Sequence, residues 1–174
     1  MQLTIPKVDY KIISNQLDAS FNAELEKFNY AISHYGFLLL QNTPIDKKVK
    51  NNIFKTYKAF FDLPFEEKNK VNMDLTSSNR GWGAPKGEQV NPDYNPDYKE
   101  IFDTGPHQKV KDEFRDLTYY AKNLWPEQLP LFENTVNNYY DLCTQIGMHV
   151  LSFIERSLNS VSYTHLTLPT IRLV

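Results

Sequence analysis

Few residues in this 174-residue chain can do covalent or metal chemistry, since it has one cysteine and four histidines. Cys143 cannot form an internal disulfide, and a lone cysteine excludes a zinc site made only of thiolates. A nucleophilic pair of Cys143 with His149 is disfavoured, because residues six apart in a helix lie on different faces. We therefore interpret Cys143 as a small core residue on an apolar helix face.

Three of the histidines fit structural positions better than metal ligation. His34 lies near the end of a predicted helix, where a cation is mildly favourable. His107 follows Gly-Pro in a predicted loop, and His149 is predicted to be a half-buried polar residue of a long helix. We expect none of them to hold a metal ion.

The first half of the chain predicts alternating short strands and amphipathic helices. Leu3 to Tyr10 is predicted as an edge strand because it contains a proline. A first helix begins near Asp18, and Gly36 suits the position just after its C-cap. Phe37 to Leu40 is a short apolar strand, and Asp46 can cap a second helix. The predicted buried faces of these helices are Phe21, Leu25, Phe28 and Ile32, and Val49, Ile53, Tyr57 and Phe60.

The second half predicts turns, a strand and one long helix. Thr76 to Pro96 is rich in glycine and proline, and Lys99 to Thr104 is a predicted strand with Lys99 and Glu100 as an exposed pair. Apolar residues at helical spacing then predict a helix from about Leu131 to Leu158.

The composition narrows the class of protein. The 19 basic and 21 acidic residues give a net charge of −2 without a basic block, which argues against a nucleic-acid-binding protein. No apolar run approaches membrane-spanning length, and the N-terminus lacks the regions of a signal peptide. We expect a soluble cytoplasmic chain whose abundant aromatic residues, 14% of the total, form its core.

Six short motifs follow one another in a fixed order. They are Ile5-Pro6 with Asp9, Gly36 to Asn42, Phe60 to Lys68, Arg80-Gly81-Trp82, Asp97 to Gly105 and Asn123-Leu124-Trp125-Pro126. With these motifs the chain resembles the N-terminal region of the iron(II)- and 2-oxoglutarate-dependent oxygenases related to isopenicillin N synthase. The resemblance covers nearly all of residues 3 to 159.

The resemblance implies an α+β fold: a helix-rich N-terminal region with a few short strands, which precedes and packs on a jelly-roll barrel. It also implies an oxidoreductase that acts on a small organic substrate, with iron(II) and 2-oxoglutarate as cofactors of the full-length parent. In this family the loop around Trp82 lies near the mouth of the active site. Arg80 could there hold a substrate carboxylate through paired hydrogen bonds, so Arg80 and Trp82 are the candidate substrate-binding residues.

The iron and cosubstrate motifs of that family are missing. The family writes them as His-x-Asp with a distant second histidine, followed by Arg-x-Ser. No histidine here has an acidic residue two positions later, and no arginine has a serine there. We therefore predict no catalytic residue, no metal ligand and no bound cofactor in this chain, with residues 1–159 being a region truncated before the barrel.

The end of the chain differs in composition from the rest. Lysine, asparagine and phenylalanine are abundant before Val161 and absent from Val161 to Val174. Val161 to Thr170 resembles the translated end of a transposase sequencing adapter. We expect residues 160–174 to be a non-native tail, which is excluded from reasoning about the fold.

A second hypothesis is a small non-enzymatic helical module whose last helix docks a protein partner. The gene sequence across the codon for Ser160 distinguishes the two hypotheses. A reading frame that continues into the iron motif supports the oxygenase, and a native stop codon supports the module.

Overall fold

The computed structural model describes residues 4–76, 78–85, 95, 98–107, 117 and 120–157. The α-helices of this part are α1 (Tyr10–Ile13), α2 (Phe21–His34), α3 (Lys47–Phe61), α4 (Phe65–Asn69) and α5 (Phe132–Ser157), with a 3-10 helix at Met73–Thr76. The strands are β1 (Lys7–Asp9), β2 (Leu39–Gln41), β3 (Gly81–Gly83) and β4 (Ile101–Asp103). Five helices with a few short strands match the predicted helix-rich α+β class.

Side-chain caps start two of the helices. The Oδ1 atom of Asp9 accepts hydrogen bonds from the backbone N–H groups of Lys11 at 2.9 Å and Ile12 at 3.3 Å. Asp46 does the same for α3, because its Oδ1 accepts from the backbone N–H of Val49 at 2.7 Å. The predicted cap at Asp46 is thus confirmed. Such a cap satisfies an N–H group that has no partner within the helix.

The end of α2 is set by a glycine, as predicted. Gly36 has a φ of +74°, in the left-handed region that favours glycine. Its N–H donates to the carbonyl of Ala31 at 3.2 Å, which satisfies one of the last carbonyls of the helix. The chain then turns into β2.

The chain forms two compact units. One combines the residues up to Val49 with those from Asp141 onward. In it, β1 pairs in parallel with β2, with Val8 opposite Leu40, and the helices between the strands provide the crossover that a parallel pair requires. Its buried core residues are Val8, Tyr10, Ile13, Phe28 and Phe153.

The other unit is Lys50–Tyr140. Here β3 pairs antiparallel with β4, and Trp82 lies opposite Phe102. The core is largely aromatic, as the composition predicted; the rings of Phe60 and Phe102, for example, lie 4.6 Å apart. Its buried residues are Ile53, Phe60, Val71, Trp82, Phe102, Phe132 and Val136.

Two predictions of side-chain exposure are wrong. Lys99 is exposed as predicted, but Glu100 is not, because its carboxylate lies in a part-buried hydrogen-bond network. Both residues precede β4, so they do not form an exposed cross-strand pair. Cys143 is exposed, although it follows the apolar spacing of α5. It lies between Val136 and Phe153, which are buried, so spacing alone could not show which turns of the helix are covered.

No described helix is both long enough and apolar enough to cross a membrane.

Candidate functional site

The predicted substrate-binding residues lie on and just before β3. Gly81 has a φ of +113°, and a side chain there would overlap the carbonyl oxygen of Val71. The next N–H, that of Trp82, donates to the same oxygen at 2.7 Å. Only glycine allows this close approach of two backbone segments. A glycine is therefore required at position 81 for β3 to pack against the backbone of Val71.

Trp82 is part of the core. Its side chain has no exposed surface, and its ring meets that of Phe65 edge-on at 5.5 Å. The indole Nε1–H donates to Oε2 of Glu100 at 2.8 Å, which gives the buried polar atom a partner. In this arrangement Trp82 packs and anchors β3, and its contact with a substrate stays a prediction.

Lys68 and Glu100 extend this anchor. The Nζ of Lys68 lies 2.8 Å from Oε2 of Glu100 and 3.2 Å from the carbonyl oxygen of Phe61. Its ammonium group is also 5.3 Å from the centre of the Trp82 ring, within the range of a cation–π interaction. The Lys68 side chain is only 12% exposed. The Lys68–Glu100 ion pair thus joins α4 to the residue before β4, and the hydrogen bond of Trp82 adds β3.

Arg80 is held by its own loop. Its N–H donates to the carbonyl of Ser78 at 2.9 Å, and its carbonyl accepts from the hydroxyl of Thr76 at 3.3 Å. Its Nη1 donates to the carbonyl of Asn79 at 3.0 Å, and the guanidinium lies directly against Gly105. The side chain is half-buried in this position.

Asn123 holds Gly105 in place. Its Oδ1 accepts from the N–H of Gly105 at 2.8 Å, and its Nδ2 donates to the carbonyl of Gly105 at 3.0 Å. In the sequence, Asn123 and Gly105 stand out only as members of two motifs. The motifs were the signal for their importance, but nothing local indicated that the two residues meet.

A cleft of about 320 Å³ lies beside the β3–β4 pair. Its lining combines carboxylate, ammonium and amide side chains with apolar ones: Asn72, Met73, Asp74, Asn79, Gly83, Ala84, Lys99, Ile101 and Asp103. Arg80 and Trp82 are not among these residues. The cleft is therefore adjacent to the two predicted residues rather than formed by them.

The phenol of Tyr57, which lies near Asp103 of the cleft, has a raised pKa. Burial raises this pKa above the usual value, and the neighbouring Asp103 and Tyr139 raise it further. A neutral phenol is therefore favoured here over a wide pH range.

Three histidines lie within the described residues and make structural contacts. His149 accepts or donates at Nδ1 in a 2.5 Å hydrogen bond with the hydroxyl of Tyr10, and His34 stacks on Tyr30 with ring centres 4.1 Å apart. The ring of His107 meets that of Tyr140 edge-on at 6.1 Å. Across the described residues, no three side chains of His, Cys, Asp or Glu come together as metal ligands. These described side chains therefore do not fit an iron centre.

Comparisons of the sequence with a family model and with known proteins agree on one protein family. The family model described as "non-haem dioxygenase in morphine synthesis N-terminal" matches residues 5–128. The chain is 28% identical to the proline hydroxylase buaE of Petromyces alliaceus, over 90% of this chain and 48% of that protein. It is 36% identical to the 2-oxoglutarate-dependent dioxygenase tropC of Talaromyces stipitatus, over 72% of this chain and 40% of that one. The chain spans about half the length, or less, of these relatives.

Solved structures agree with this result. A full-length protein of Neurospora crassa, solved in complex with alpha-KG, superposes with a TM-score of 0.71 at 26% identity, over 91% of this chain and 49% of that one. A 2OG-Fe(II) oxygenase family protein of Caulobacter crescentus gives a TM-score of 0.76 at 24% identity, over 97% of this chain and 52% of that one. The second likeness concerns the fold alone.

Proposed function

The chain belongs to the family of non-haem dioxygenase N-terminal regions, and from this premise we propose that it is the N-terminal part of an iron(II)/2-oxoglutarate-dependent oxidoreductase. The match over residues 5–128 carries the proposal, and the relatives named as 2-oxoglutarate-dependent dioxygenases support it. In the parent, residues 1–159 precede and pack on a jelly-roll barrel that supplies the iron site. The relatives are about twice as long as the region that they share with this chain, which leaves room for such a barrel.

The proposed substrate is a small organic molecule. One relative is named a proline hydroxylase, and the Neurospora crassa protein has been solved with thymine. Arg80 and Trp82 are the proposed substrate contacts, with the Arg80 guanidinium pairing with a carboxylate. Arg80, just before β3, is half-buried. The Trp82 side chain has no exposed area, so its contact with a substrate would require the side chains that cover it to move.

We also propose that this chain by itself turns over no 2-oxoglutarate. The absence of His-x-Asp from its sequence supports this, and so does the lack of a suitable ligand cluster among the described side chains. The measurement is succinate release with iron(II), ascorbate and a panel of small acids. Reproducible turnover above the buffer value would contradict the proposal.

The gene sequence beyond the codon for Ser160 tests the function itself. An uninterrupted reading frame that carries His-x-Asp and a distant histidine is expected. A native stop codon at that point would instead favour the small helical protein-binding module.

A further inference from the structure

We infer that Asn123 is a positioning residue for Arg80 and that it acts through Gly105. The inference rests on the proposed function, since the position of Arg80 matters for a reaction only if Arg80 contacts the substrate. All three residues belong to the Lys50–Tyr140 unit.

The guanidinium of Arg80 contacts the backbone of Gly105. The guanidinium lies so close to the Cα of Gly105 that a β-carbon there would overlap its Cζ, Nη2 and Nε atoms. Gly105 itself is buried. The flat guanidinium therefore rests on a backbone surface that exists only because residue 105 has no side chain.

The side chain of Asn123 forms two hydrogen bonds with the backbone of Gly105. β4 ends at Asp103, so Gly105 lies beyond the last paired residue of the strand. The side-chain amide of Asn123 replaces a strand partner by bonding both the N–H and the carbonyl of Gly105, at 2.8 and 3.0 Å. A carboxylate could accept from the N–H but could not donate to the carbonyl, so the amide is the matching group.

Asn123 is held in place by the packing of the next two residues, Leu124 and Trp125. Its neighbour Leu124 packs beside Gly81, with its Cδ1 3.3 Å from where a β-carbon of Gly81 would lie. Trp125 packs against Phe102 and Phe132, with ring centres 6.5 and 6.1 Å apart. Asn123 is thus attached to the aromatic core.

Different residues therefore hold the backbone and the side chain of Arg80. Its backbone is fixed by Thr76 and Ser78, as described above. Its guanidinium donates to the carbonyl of Asn79 and lies on the Gly105 surface, whose position Asn123 sets. This arrangement joins three of the sequence motifs, at Arg80, Gly105 and Asn123, in one site.

Side-chain NMR of the ¹⁵N-labelled chain tests the inference. Arg80→Lys assigns the Arg80 Nε–H signal, and the indole N–H signal of Trp82 reports on the β3–β4 pair. In Asn123→Ala and in Gly105→Ala we expect the Arg80 signal to shift while the Trp82 signal stays in place. Asn51→Ala, at an exposed position of α3, is the control and should shift neither signal.

Two results would overturn the inference. One is an unchanged Arg80 signal in Asn123→Ala; the other is an equal shift of the Trp82 signal, which would mean that Asn123 only maintains the fold. If Asn123→Ala does not fold, Asn123→Asp, which keeps the acceptor oxygen, decides by the same two signals.

Addition of sodium acetate tests the proposed substrate contact of Arg80 independently of the role of Asn123. Acetate should shift the Arg80 signal of the unmodified chain if Arg80 binds carboxylates. If the Asn123 substitution shifts the Arg80 signal but acetate does not, the positioning role stands and the proposed carboxylate contact fails.

Discussion

A single carboxylate oxygen serves two donors in the Lys50–Tyr140 unit. Oε2 of Glu100 accepts from the ammonium of Lys68 and from the indole N–H of Trp82, each at 2.8 Å. Both donors are largely or completely removed from water. A buried donor without an acceptor is costly, so Glu100 matters more for stability than an exposed acidic residue.

Replacing Glu100 should therefore destabilise the fold. We expect Glu100→Ala to lower the free energy of unfolding by about 1–3 kcal/mol, because the buried indole N–H of Trp82 loses its acceptor and the ammonium of Lys68 loses its carboxylate partner. Glu100→Gln keeps an acceptor oxygen and should cost less. Urea unfolding followed by tryptophan fluorescence measures both values. Equal losses in the two variants would show that the acceptor is not the cause.

Tyr57 should make stability depend on alkaline pH. Burial, with Asp103 and Tyr139, raises the pKa of this phenol in the folded state above that of the unfolded chain. Above about pH 10 the unfolded chain loses the proton first, so the free energy of unfolding decreases as the pH rises. We expect Tyr57→Phe to reduce this decrease, as measured by urea unfolding between about pH 8 and pH 11.

The exposed Tyr98 provides the matched control for Tyr57. Tyr98→Phe should leave the alkaline decrease as it is in the unmodified chain. If Tyr57→Phe has the same pH profile as Tyr98→Phe, the raised pKa of Tyr57 does not contribute to stability.

At the scale of elements, local chemistry determines where the helices begin and end. Asp9 and Asp46 cap α1 and α3, Gly36 follows α2, and Pro64 separates α3 from α4. Each residue satisfies or prevents a backbone hydrogen bond at one helix end. These local features made most helix positions predictable.

Two glycines should respond to alanine in opposite directions. Gly36→Ala should destabilise by about 1–2 kcal/mol, because φ is +74° and a side chain is strained there even though no atom lies near. Gly147→Ala should stabilise by about 0.5–1 kcal/mol, since Gly147 lies inside α5 with open space around it. Thermal unfolding measures both, and changes of the same sign would contradict the role of φ.

At the scale of the whole molecule, the chain corresponds to about half of its relatives. It spans 48% of buaE and 49% of the Neurospora crassa protein. The proposed division into residues 1–159 and a non-native tail of 160–174 falls at its end, and the tail lies outside the described residues. A tail that did not evolve with the rest is not expected to support its fold.

Truncation after Asn159 tests that expectation. We expect the free energy of unfolding of the shortened chain to equal that of the full chain, because the tail would make no persistent packing contact. Urea unfolding of the two chains is the measurement. A loss of more than about 1 kcal/mol, the size of a typical destabilising substitution, would argue against an adapter origin.

The sequence patterns do not predict α1 and β3, because they place Tyr10 in the edge strand and Gly81–Gly83 in a stretch of turns. They do predict α2, α3, α5, β2, β4, the Gly36 and Asp46 signals and the family. Each of these depends on neighbouring residues or on motif order, which the one-dimensional chain contains. The bounds shifted slightly: Phe37 to Leu40 became Leu39–Gln41, and Lys99 to Thr104 became Ile101–Asp103.

Which polar groups meet depends on how the elements pack together. Glu100 bonds Trp82 across 18 residues and Lys68 across 32, and Asn123 bonds Gly105 across 18. Helical and strand periodicities report which face of an element is apolar, but they do not report which element covers that face. The exposure of Cys143 and the contact of Arg80 with Gly105 likewise depend on which elements pack together, so the periodicities do not predict them.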